Sequence, residues 1–540
     1  ASDVYKRQGK TLVIAEKPSV AGDIARAIGG LKKVGDHYEG DSYIVASAVG
    51  HLLELKEPAE YEVKRGKWSF ANLPVIPSHF DLAPIKKSET KLNGLKKLLK
   101  SKEVDKVINA CDAGREGELI FRYIMEATKN KKPIYRLWLQ SMTKGAILDA
   151  FKHLRTDAQM QPLADAAKQR GVHVFHLNIG QPDLPTPQAA IDAIRNIDRK
   201  VLEYSPSAGY RSYREKLVGY YAKFNINLTA DDIIITSGGS EAVLFSFLSC
   251  LNPGDEIIVP EPAYANYMAF AISAGAKIRT IATTIEEGFS LPKVEKFEEL
   301  INERTKAILI CNPNNPTGYL YTRREMNQIR DLVKKYDLFL FSDEVYREFI
   351  YTGSPYISAC HLEGIENNVV LIDSVSKRYS ECGIRIGALI TKNKEIRDAV
   401  MKFCQARLSP PLIGQIAAEA SLDAPEEYSR ETYDEYVERR KCLIDGLNRI
   451  PGVYSPIPMG AFYTVAKLPV DDSDKFCAWC LSDFEYEGQT VFMAPASGFY
   501  TTPGSGINEV RIAYVLKKED LTRALFVLQK ALEVYPGRTE

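Results

Sequence analysis

The chain has 540 residues, of which 45% are apolar and 26% are charged. Because a hydrophobic core stops growing at roughly 250 to 300 residues, this length predicts more than one domain, either two or three. No apolar run approaches the ~20 residues that cross a bilayer, so no membrane partner is expected.

The charges are divided unevenly along the chain. Residues 1–156 contain 28 Lys and Arg against 19 Asp and Glu, whereas the remainder contains 42 against 51. The first part therefore carries a net positive charge, which would favour binding to polyanions. This pattern fits either a nucleic-acid surface or the ordinary solvated faces of two unrelated domains.

Two features bear on the location of the protein. Residues 1–8 lack the apolar stretch of a secretory signal and a starting methionine, which indicates a fragment or a non-native leader. The nine cysteines are widely spaced, which would be unusual for a disulfide framework. A reducing, cytoplasmic location is therefore expected.

The N-terminal part begins with a predicted strand that ends in charged residues. Residues 10–15 are predicted as a short buried strand, followed by a turn that carries Glu16. Ser19 is placed to cap a helix over residues 20–28.

A second acidic cluster follows a second predicted strand. Residues 105–110 are predicted as this strand, residues 112–118 carry the cluster, and a helix is predicted over residues 119–128. If a parallel sheet brings the two clusters side by side, their carboxylates would suit Mg²⁺, which prefers oxygen ligands.

These residues resemble the Toprim domain of type IA topoisomerases, especially topoisomerase III. The matching motifs are Ile-Ala-Glu-Lys-Pro-Ser at 14–19, Asp-Ala-Gly-Arg-Glu-Gly-Glu at 112–118 and Ser-Met-Thr at 141–143. The resemblance implies an α/β domain with a parallel sheet over residues 9–156. The metal ligands that it implies are Glu16, Asp112 and Glu116.

The topoisomerase-like sequence stops after residue 155. Such topoisomerases cut DNA with a tyrosine on a later domain, so this truncated part is expected to be inactive in DNA cleavage. At most it would bind Mg²⁺ or DNA weakly. The composition changes between residues 156 and 161 without a Gly/Ser-rich or Pro-rich linker, an abrupt join that fits an artificial fusion or a sequence-assembly error.

From residue 172 onwards, short apolar runs alternate with helical segments, as in an α/β domain. Polar turns follow the predicted strands, and open α/β sheets bind ligands at that edge. Taken singly, each turn also has an ordinary structural explanation. The turns are Asn-Ile-Gly-Gln-Pro-Asp at 178–183, Ser-Gly-Gly-Ser-Glu at 237–241, Glu-Pro-Ala-Tyr at 261–264, Asn-Pro-Asn-Asn-Pro-Thr-Gly at 312–318 and Asp-Glu-Val-Tyr at 343–346.

The most informative stretch is Ser-Val-Ser-Lys-Arg-Tyr-Ser-Glu-Cys-Gly-Ile-Arg-Ile-Gly at 374–387, which follows the apolar run at 369–372. The amine of Lys377 can form an imine, and Arg385 with the nearby serines can bind a phosphate. The cofactor that needs both is pyridoxal phosphate.

With these motifs, residues from about 162 to 534 resemble the class I aminotransferases of fold type I. The resemblance implies a large, mostly parallel seven-stranded α/β domain over residues 204–425. A smaller α/β domain would combine residues 157–203 and 426–540. The resemblance to these aminotransferases also implies a homodimer that acts on an amino acid and a 2-oxo acid.

The resemblance further implies the roles of the residues around the cofactor ring. Lys377 would form the Schiff base and move the proton, and Asp343 would pair with the ring nitrogen. Tyr346 and Asn315 would hydrogen-bond the phenolic oxygen, and Tyr264 would stack on the ring.

It also implies a phosphate site and a substrate site. The residues around the phosphate would be Gly239, Ser240, Ser374, Ser376 and Arg385. Tyr204 would reach the phosphate of the neighbouring subunit. Arg511 would clamp the substrate α-carboxylate, with Gly180 and Asn315 beside it.

The sequence thus predicts an amino acid:2-oxo acid aminotransferase with a ping-pong mechanism. Two alternatives stay open, a β-lyase on the same scaffold and a DNA-associated protein that uses the aminotransferase-like part as a ligand sensor. The side-chain preference for dicarboxylic, aromatic or small neutral amino acids also stays open.

Overall fold

The computed structural model describes residues 9–48, 52–55, 82–85, 88–111, 115–130, 132–137, 155–156 and 160–539. The chain divides into two units, Ala1–Gln159 and Met160–Glu540. The proposed leader at 1–8 and the motif at 141–143 lie outside the described residues. None of the helices described is both long and apolar enough to cross a membrane.

The N-terminal unit is built on a mixed seven-stranded sheet. The strands of this unit are β1 (Lys10–Ala15), β2 (Lys32–Val34), β3 (His37–Glu39), β4 (Tyr43–Ser47), β5 (Leu53–Leu55), β6 (Leu82–Pro84), β7 (Val104–Ala110), β8 (Ile134–Arg136) and β9 (Arg155–Thr156). The helices described in it are α1 (Pro18–Ile28), α2 (Glu89–Lys100) and α3 (Arg115–Thr128).

The sheet order is β2-β3-β4-β1-β7-β8-β9. The four central strands β4, β1, β7 and β8 are parallel, whereas β2, β3 and β9 are antiparallel to their neighbours. The prediction of a parallel sheet therefore holds for the centre of the sheet, and its edges are antiparallel.

Central strand β1 is apolar from Leu12 to Ala15 because helices cover both of its faces. Leu12 and Ile14 pack into one hydrophobic cluster, which includes α2 and α3 residues such as Leu92 and Phe121. Val13 packs into the opposite cluster, against α1. A strand buried on both faces shows a continuous apolar run rather than alternation.

The predicted start of α1 was wrong by two residues. The helix begins at Pro18, Lys17 occupies the N-cap position, and no side chain caps the helix there. Proline is favoured in the first helical turn because it lacks the N–H that would be unsatisfied there. Ser19 therefore lies inside the helix, where it cannot act as its N-cap.

The C-terminal unit contains the larger α/β structure. Its strands are β10 (His173–His176), β11 (Ile233–Thr236), β12 (Glu256–Glu261), β13 (Lys277–Ala282), β14 (Thr305–Cys311), β15 (Phe339–Asp343), β16 (Val369–Ser374), β17 (Gly387–Ile390), β18 (Tyr463–Lys467), β19 (Gln489–Phe492), β20 (Ala494–Pro495) and β21 (Glu509–Ala513).

Helices surround these strands on both sides. They are α4 (Met160–Gln169), α5 (Gln188–Arg195), α6 (Arg211–Ala222), α7 (Gly238–Cys250), α8 (Asn266–Ser273), α9 (Val294–Leu300), α10 (Arg323–Tyr336), α11 (Val375–Arg378), α12 (Lys394–Arg407), α13 (Leu412–Ser421), α14 (Glu426–Leu447), α15 (Ser473–Ser482) and α16 (Lys518–Val534).

The large sheet has seven strands in the order β11-β17-β16-β15-β14-β12-β13. All neighbours are parallel except β17, which is antiparallel to both β11 and β16. In β15, Phe341 packs into one hydrophobic cluster and Leu340 into another, so this strand is also buried on both faces. The seven-stranded, mostly parallel sheet agrees with the prediction from sequence.

Two smaller sheets accompany it. Strands β18, β21 and β20 form an antiparallel sheet, and β10 pairs with β19 in parallel. The side chains of β18 and β21 contribute to the same hydrophobic cluster as those of β15. This continuity places the smaller sheet against the large one within the C-terminal unit.

Gly387 allows two backbone segments to meet at the start of β17. It pairs with both Thr236 and Ser374. A Cβ at this position would lie 2.5 Å from the carbonyl carbon of Gly238 and 2.7 Å from the carbonyl oxygen of Asp373. Neither backbone atom can move away cheaply, so the turn before α7 needs glycine at 387.

We therefore expect Gly387→Ala to lower the free energy of unfolding by about 1–3 kcal/mol, as overpacking of a core usually does. Urea unfolding followed by circular dichroism would measure the change. Gly383→Ala is the matched control, because a Cβ there has no atom within 4 Å. Equal unfolding midpoints for the two variants would contradict the steric explanation.

Candidate active site

A cavity of about 420 Å³ opens at the carboxyl edge of the large sheet. The predicted site residues that line it are Gly180, Gly239, Ser240, Tyr264, Asn315, Asp343, Tyr346, Ser374, Ser376, Lys377, Arg385 and Arg511. Tyr204 lies elsewhere, with 75% of its side chain exposed. The fold thus gathers the predicted residues of one subunit into one cavity.

Lys377 lies on the one-turn helix α11, which directly follows β16. The Ser374 hydroxyl caps this helix by accepting a 3.1 Å hydrogen bond from the backbone N–H of Ser376. The half-buried Lys377 donates a 2.8 Å hydrogen bond from Nζ to the carbonyl oxygen of Gly180. Its amine is therefore directed into the cavity.

A buried ion network lies behind this helix. Arg378 donates a 2.8 Å hydrogen bond to Asp373, which also accepts one from the Tyr221 hydroxyl. Arg347 lies 3.6 Å from the same carboxylate. Burial alone would raise the pKa of Asp373, but the two arginines outweigh it and hold that pKa at about 2. The network fixes α11 against the end of β16.

Asp343 is the last residue of β15 and is 8% exposed. The Tyr267 hydroxyl donates a 2.6 Å hydrogen bond to its Oδ2, and the Val345 N–H lies 3.4 Å from its Oδ1. Burial raises the pKa of Asp343 to about 6 despite these donors. A buried carboxylate of this kind is stabilised by a cationic partner, so the site fits a protonated ring nitrogen.

The predicted phosphate site lies at the N-terminus of α7. Gly238 has a φ of +79°, and a Cβ there would lie 2.3 Å from Nη2 of Arg385. Glycine therefore lets the guanidinium approach the first N–H groups of the helix, close to Gly239 and Ser240. A helix N-terminus beside an arginine is suited to a phosphate group.

Arg511 occupies the opposite side of the cavity on β21. It donates from Nη1 to Oδ1 of Asn315 at 3.1 Å and from Nη2 to the carbonyl oxygen of Asn178 at 2.5 Å. Its Nε is buried and has no hydrogen-bond partner among the residues that the structure describes. This guanidinium is held in place and retains donor capacity for a carboxylate.

The sequence did not single out several residues of the cavity. Tyr267 lies on α8, three residues after Tyr264. Tyr463 is the first residue of β18 and directly follows the sequence Gly-Ala-Phe. Ile179 and Phe270 add apolar surface. The only signal for Tyr267 was its spacing from Tyr264, and aromatic residues at that spacing are more often part of a core.

The predicted Mg²⁺ site can be placed only at the level of the backbone. Ala15 of β1 pairs with Ala110 of β7, so the residues after both strands begin at one edge of the sheet. Glu16 is described there, whereas Asp112 and the side chain of Glu116 lie outside the described residues. Within the described part of the chain, no group of three His, Cys, Asp or Glu residues could hold a metal ion.

Comparison with known families agrees with this geometry. Residues 172–528 match the family model of the class I and II aminotransferases, and residues 11–142 match that of the Toprim domain. The chain belongs to the class I and II aminotransferases.

Individual relatives show the same likeness. An aspartate aminotransferase of Pyrococcus horikoshii is 33% identical over 366 residues, which cover 67% of this chain and 91% of that protein. A crystal structure of an aspartate aminotransferase of Thermotoga maritima is 29% identical, with a TM-score of 0.64, and covers 69% of this chain and 96% of that one. An aromatic aminotransferase structure of Pyrococcus horikoshii is 28% identical, with a TM-score of 0.62, and covers 69% and 99%.

The protein is thus a pyridoxal-phosphate-dependent aminotransferase with the fold of type I, joined to an N-terminal Toprim domain. The predicted family and enzyme class are confirmed. The roles of the individual site residues stay predictions.

The buried Asp373 yields a stability prediction. We expect Asp373→Asn to lower the free energy of unfolding by about 3–5 kcal/mol, because the buried Arg378 would lose its counter-charge and the buried Arg347 would keep only Glu344. Since the pKa is held below the ordinary value of 3.8, the stabilisation is complete above that value and is lost as the pH falls through about 2.

Urea unfolding at pH 7 and at lower pH would measure both effects. Asp423→Asn is the matched control, because its pair with Lys216 is exposed and should contribute less than about 1 kcal/mol. If the two variants were equally stable, the buried network would not hold α11 in place.

Proposed function

We propose that the C-terminal unit transfers an amino group from an amino acid to a 2-oxo acid by a ping-pong mechanism, with pyridoxal phosphate attached through Lys377. The observation that carries this proposal is the convergence of three groups on one cavity. They are the amine of Lys377, the buried carboxylate of Asp343 and the guanidinium of Arg511. When bound, the cofactor supplies an electron sink for negative charge at the substrate Cα.

The residues of the large sheet would hold the cofactor. Asp343 would pair with its ring nitrogen and keep that nitrogen protonated, and Tyr346 and Asn315 would donate to its phenolic oxygen. Tyr264 would stack on the ring, and burial raises the pKa of this tyrosine, which keeps its hydroxyl neutral.

The phosphate would be bound by the residues at the N-terminus of α7 and on the 374–387 stretch. Those residues are Gly239, Ser240, Ser374, Ser376 and Arg385. The helix N-terminus offers backbone N–H groups, and Arg385 offers a permanent charge.

Arg511 and Lys377 would act on the substrate. Arg511 would bind the α-carboxylate, beside Asn315 and the backbone near Gly180. This orientation would hold the substrate Cα within reach of Nζ of Lys377, which would take the proton from Cα as a general base.

The enzyme would act as a homodimer in the cytoplasm. Tyr204 lies in an exposed apolar segment, with Val201 68%, Leu202 61% and Tyr204 75% exposed in the single chain. Burial of such a segment against a second copy is favourable. Tyr204 would then contribute its hydroxyl to the phosphate site of the neighbouring subunit.

The Toprim domain would bind Mg²⁺ through Glu16, Asp112 and Glu116, bind DNA weakly, and leave DNA uncut. The support is the register that aligns the ends of β1 and β7, together with the end of the topoisomerase-like sequence at residue 155. Relaxation of supercoiled plasmid by the full chain with Mg²⁺ would contradict this proposal.

The join between the two domains would be an artificial fusion or a sequence-assembly error. Its support is the abrupt change in composition between residues 156 and 161. A genomic sequencing read across the codons for residues 150–170 tests it, since a continuous natural reading frame there would overturn the fusion.

For the cofactor attachment, we expect Lys377→Ala to abolish transamination and to lose the visible absorption band of the lysine-bound cofactor, because no amine remains. Absorption spectra and an assay with a 2-oxo acid acceptor would measure both. Lys394→Ala is the control, since Lys394 is exposed and pairs only with Asp398 among the ion pairs of the described chain. Persistence of the band in Lys377→Ala, or turnover of an amino acid without any acceptor, would contradict the proposal.

For the substrate carboxylate, we expect Arg511→Lys to raise KM for the amino acid by roughly 10- to 100-fold while the cofactor band is retained, because a point charge replaces a planar fork of donors. Initial rates at varied amino acid concentration would measure KM. Arg523→Lys is the matched control, because Arg523 also lies against two aromatic rings, those of Tyr486 and Phe526. An unchanged KM in Arg511→Lys would place the carboxylate elsewhere.

A further inference from the structure

Tyr463 is a buried residue of β18 that contacts residues from both sheets around the cavity, Tyr346 after β15 and Arg511 on β21. Its hydroxyl lies 3.0 Å from the hydroxyl of Tyr346 and 3.4 Å from the carbonyl oxygen of Gly180. Its ring lies 4.9 Å from the guanidinium carbon of Arg511. One side chain therefore touches a residue proposed to bind the cofactor and the residue proposed to bind the substrate.

The approach of Tyr463 to Gly180 depends on glycine. A Cβ at position 180 would lie 1.7 Å from the Tyr463 hydroxyl, far inside any contact distance. The same carbonyl oxygen accepts the hydrogen bond from Nζ of Lys377. Without a side chain at this position, the Tyr463 ring can lie close to the backbone segment that binds the amine of Lys377.

We propose that Tyr463 is a positioning residue with two separable functions. Its hydroxyl would strengthen the hydrogen bond that Tyr346 donates into the cavity, and its ring would hold the guanidinium of Arg511. This inference rests on the proposed roles of Lys377, Tyr346 and Arg511.

The hydroxyl acts by polarising a neighbouring hydrogen bond. When Tyr346 donates its proton to the cofactor's phenolic oxygen, its own oxygen is free to accept the proton of Tyr463. A hydroxyl that accepts a hydrogen bond becomes a stronger donor. A stronger donor stabilises negative charge on the acceptor, so Tyr463 keeps the attached cofactor less basic.

The ring acts by restraining a cation. The guanidinium carbon of Arg511 lies over two aromatic rings, 4.9 Å from the centre of Tyr463 and 4.8 Å from that of Phe499. Hydrogen bonds to the side chain of Asn315 and to the backbone carbonyl of Asn178 also restrain the orientation of the guanidinium. Stacking on these rings orients the guanidinium before substrate binds, which lowers the cost of ordering it.

Two substitutions separate these functions in the cofactor-loaded enzyme. Tyr463→Phe removes the hydroxyl and keeps the ring. It should raise the pH midpoint of the cofactor's absorbance change by about 0.3 to 1 pH unit, with KM for the amino acid within about twofold of the wild type. Tyr463→Leu also removes the ring and should raise that KM by about tenfold.

Tyr436→Phe is the matched control for the absorbance titration. Tyr436 is buried in the same aromatic cluster, stacked on Phe462 with ring centres 5.1 Å apart, and within the described part of the chain its hydroxyl has no hydrogen-bond partner. Removing that hydroxyl perturbs the packing to a similar degree without touching the network. Its pH midpoint should equal that of the wild type.

The outcomes distinguish this inference from the proposed function. A wild-type protein without a pH-dependent cofactor band would overturn the proposed function itself. A normal wild-type titration with an unchanged midpoint in Tyr463→Phe, or an equal shift in Tyr436→Phe, would overturn the hydroxyl function. An unchanged KM in Tyr463→Leu, with the cofactor band intact, would overturn the ring function.

Discussion

The ion pair between Asp373 and Arg378 is the interaction on which the position of Lys377 depends. Asp373 is the second-last residue of β16, and Arg378 is the last residue of α11, immediately after Lys377. Because the guanidinium is buried against the carboxylate and against the ring of Tyr220, the helix has one stable orientation. That orientation leaves Lys377 on the side of the cavity. A buried pair with this geometry specifies a conformation more than it adds net stability.

The cavity combines residues from two sheets with different tasks. The large sheet contributes Asp343 and Lys377 at the ends of its parallel strands, where open α/β sheets bind ligands. The antiparallel sheet contributes Tyr463 and Arg511 on neighbouring strands β18 and β21. We propose that the first pair binds the cofactor and that Arg511 binds the substrate. Contact between Tyr346 and Tyr463 joins the two groups.

The sequence predicted the strand-end residues because each follows a recognisable buried run. Asp343 and Lys377 are of this kind, and both line the cavity. Tyr463 was not predicted, since its importance arises from a contact with Tyr346, which is 117 positions away, and no local pattern records such a contact. The prediction that Ser19 is the N-cap of α1 was wrong, because the preference of Pro18 for the first helical turn outweighed the capping preference of serine.

The antiparallel direction of β17 has a mechanical consequence. Because β16 ends and β17 begins side by side, with Ser374 paired to Gly387, the chain between them forms a loop that is closed at its base. Both Lys377 and Arg385 lie on that loop. The distance between their backbones is therefore limited by the short segment of chain that joins them. The two side chains proposed to hold the cofactor are therefore positioned by one loop of the large sheet, independently of the antiparallel sheet that carries Arg511.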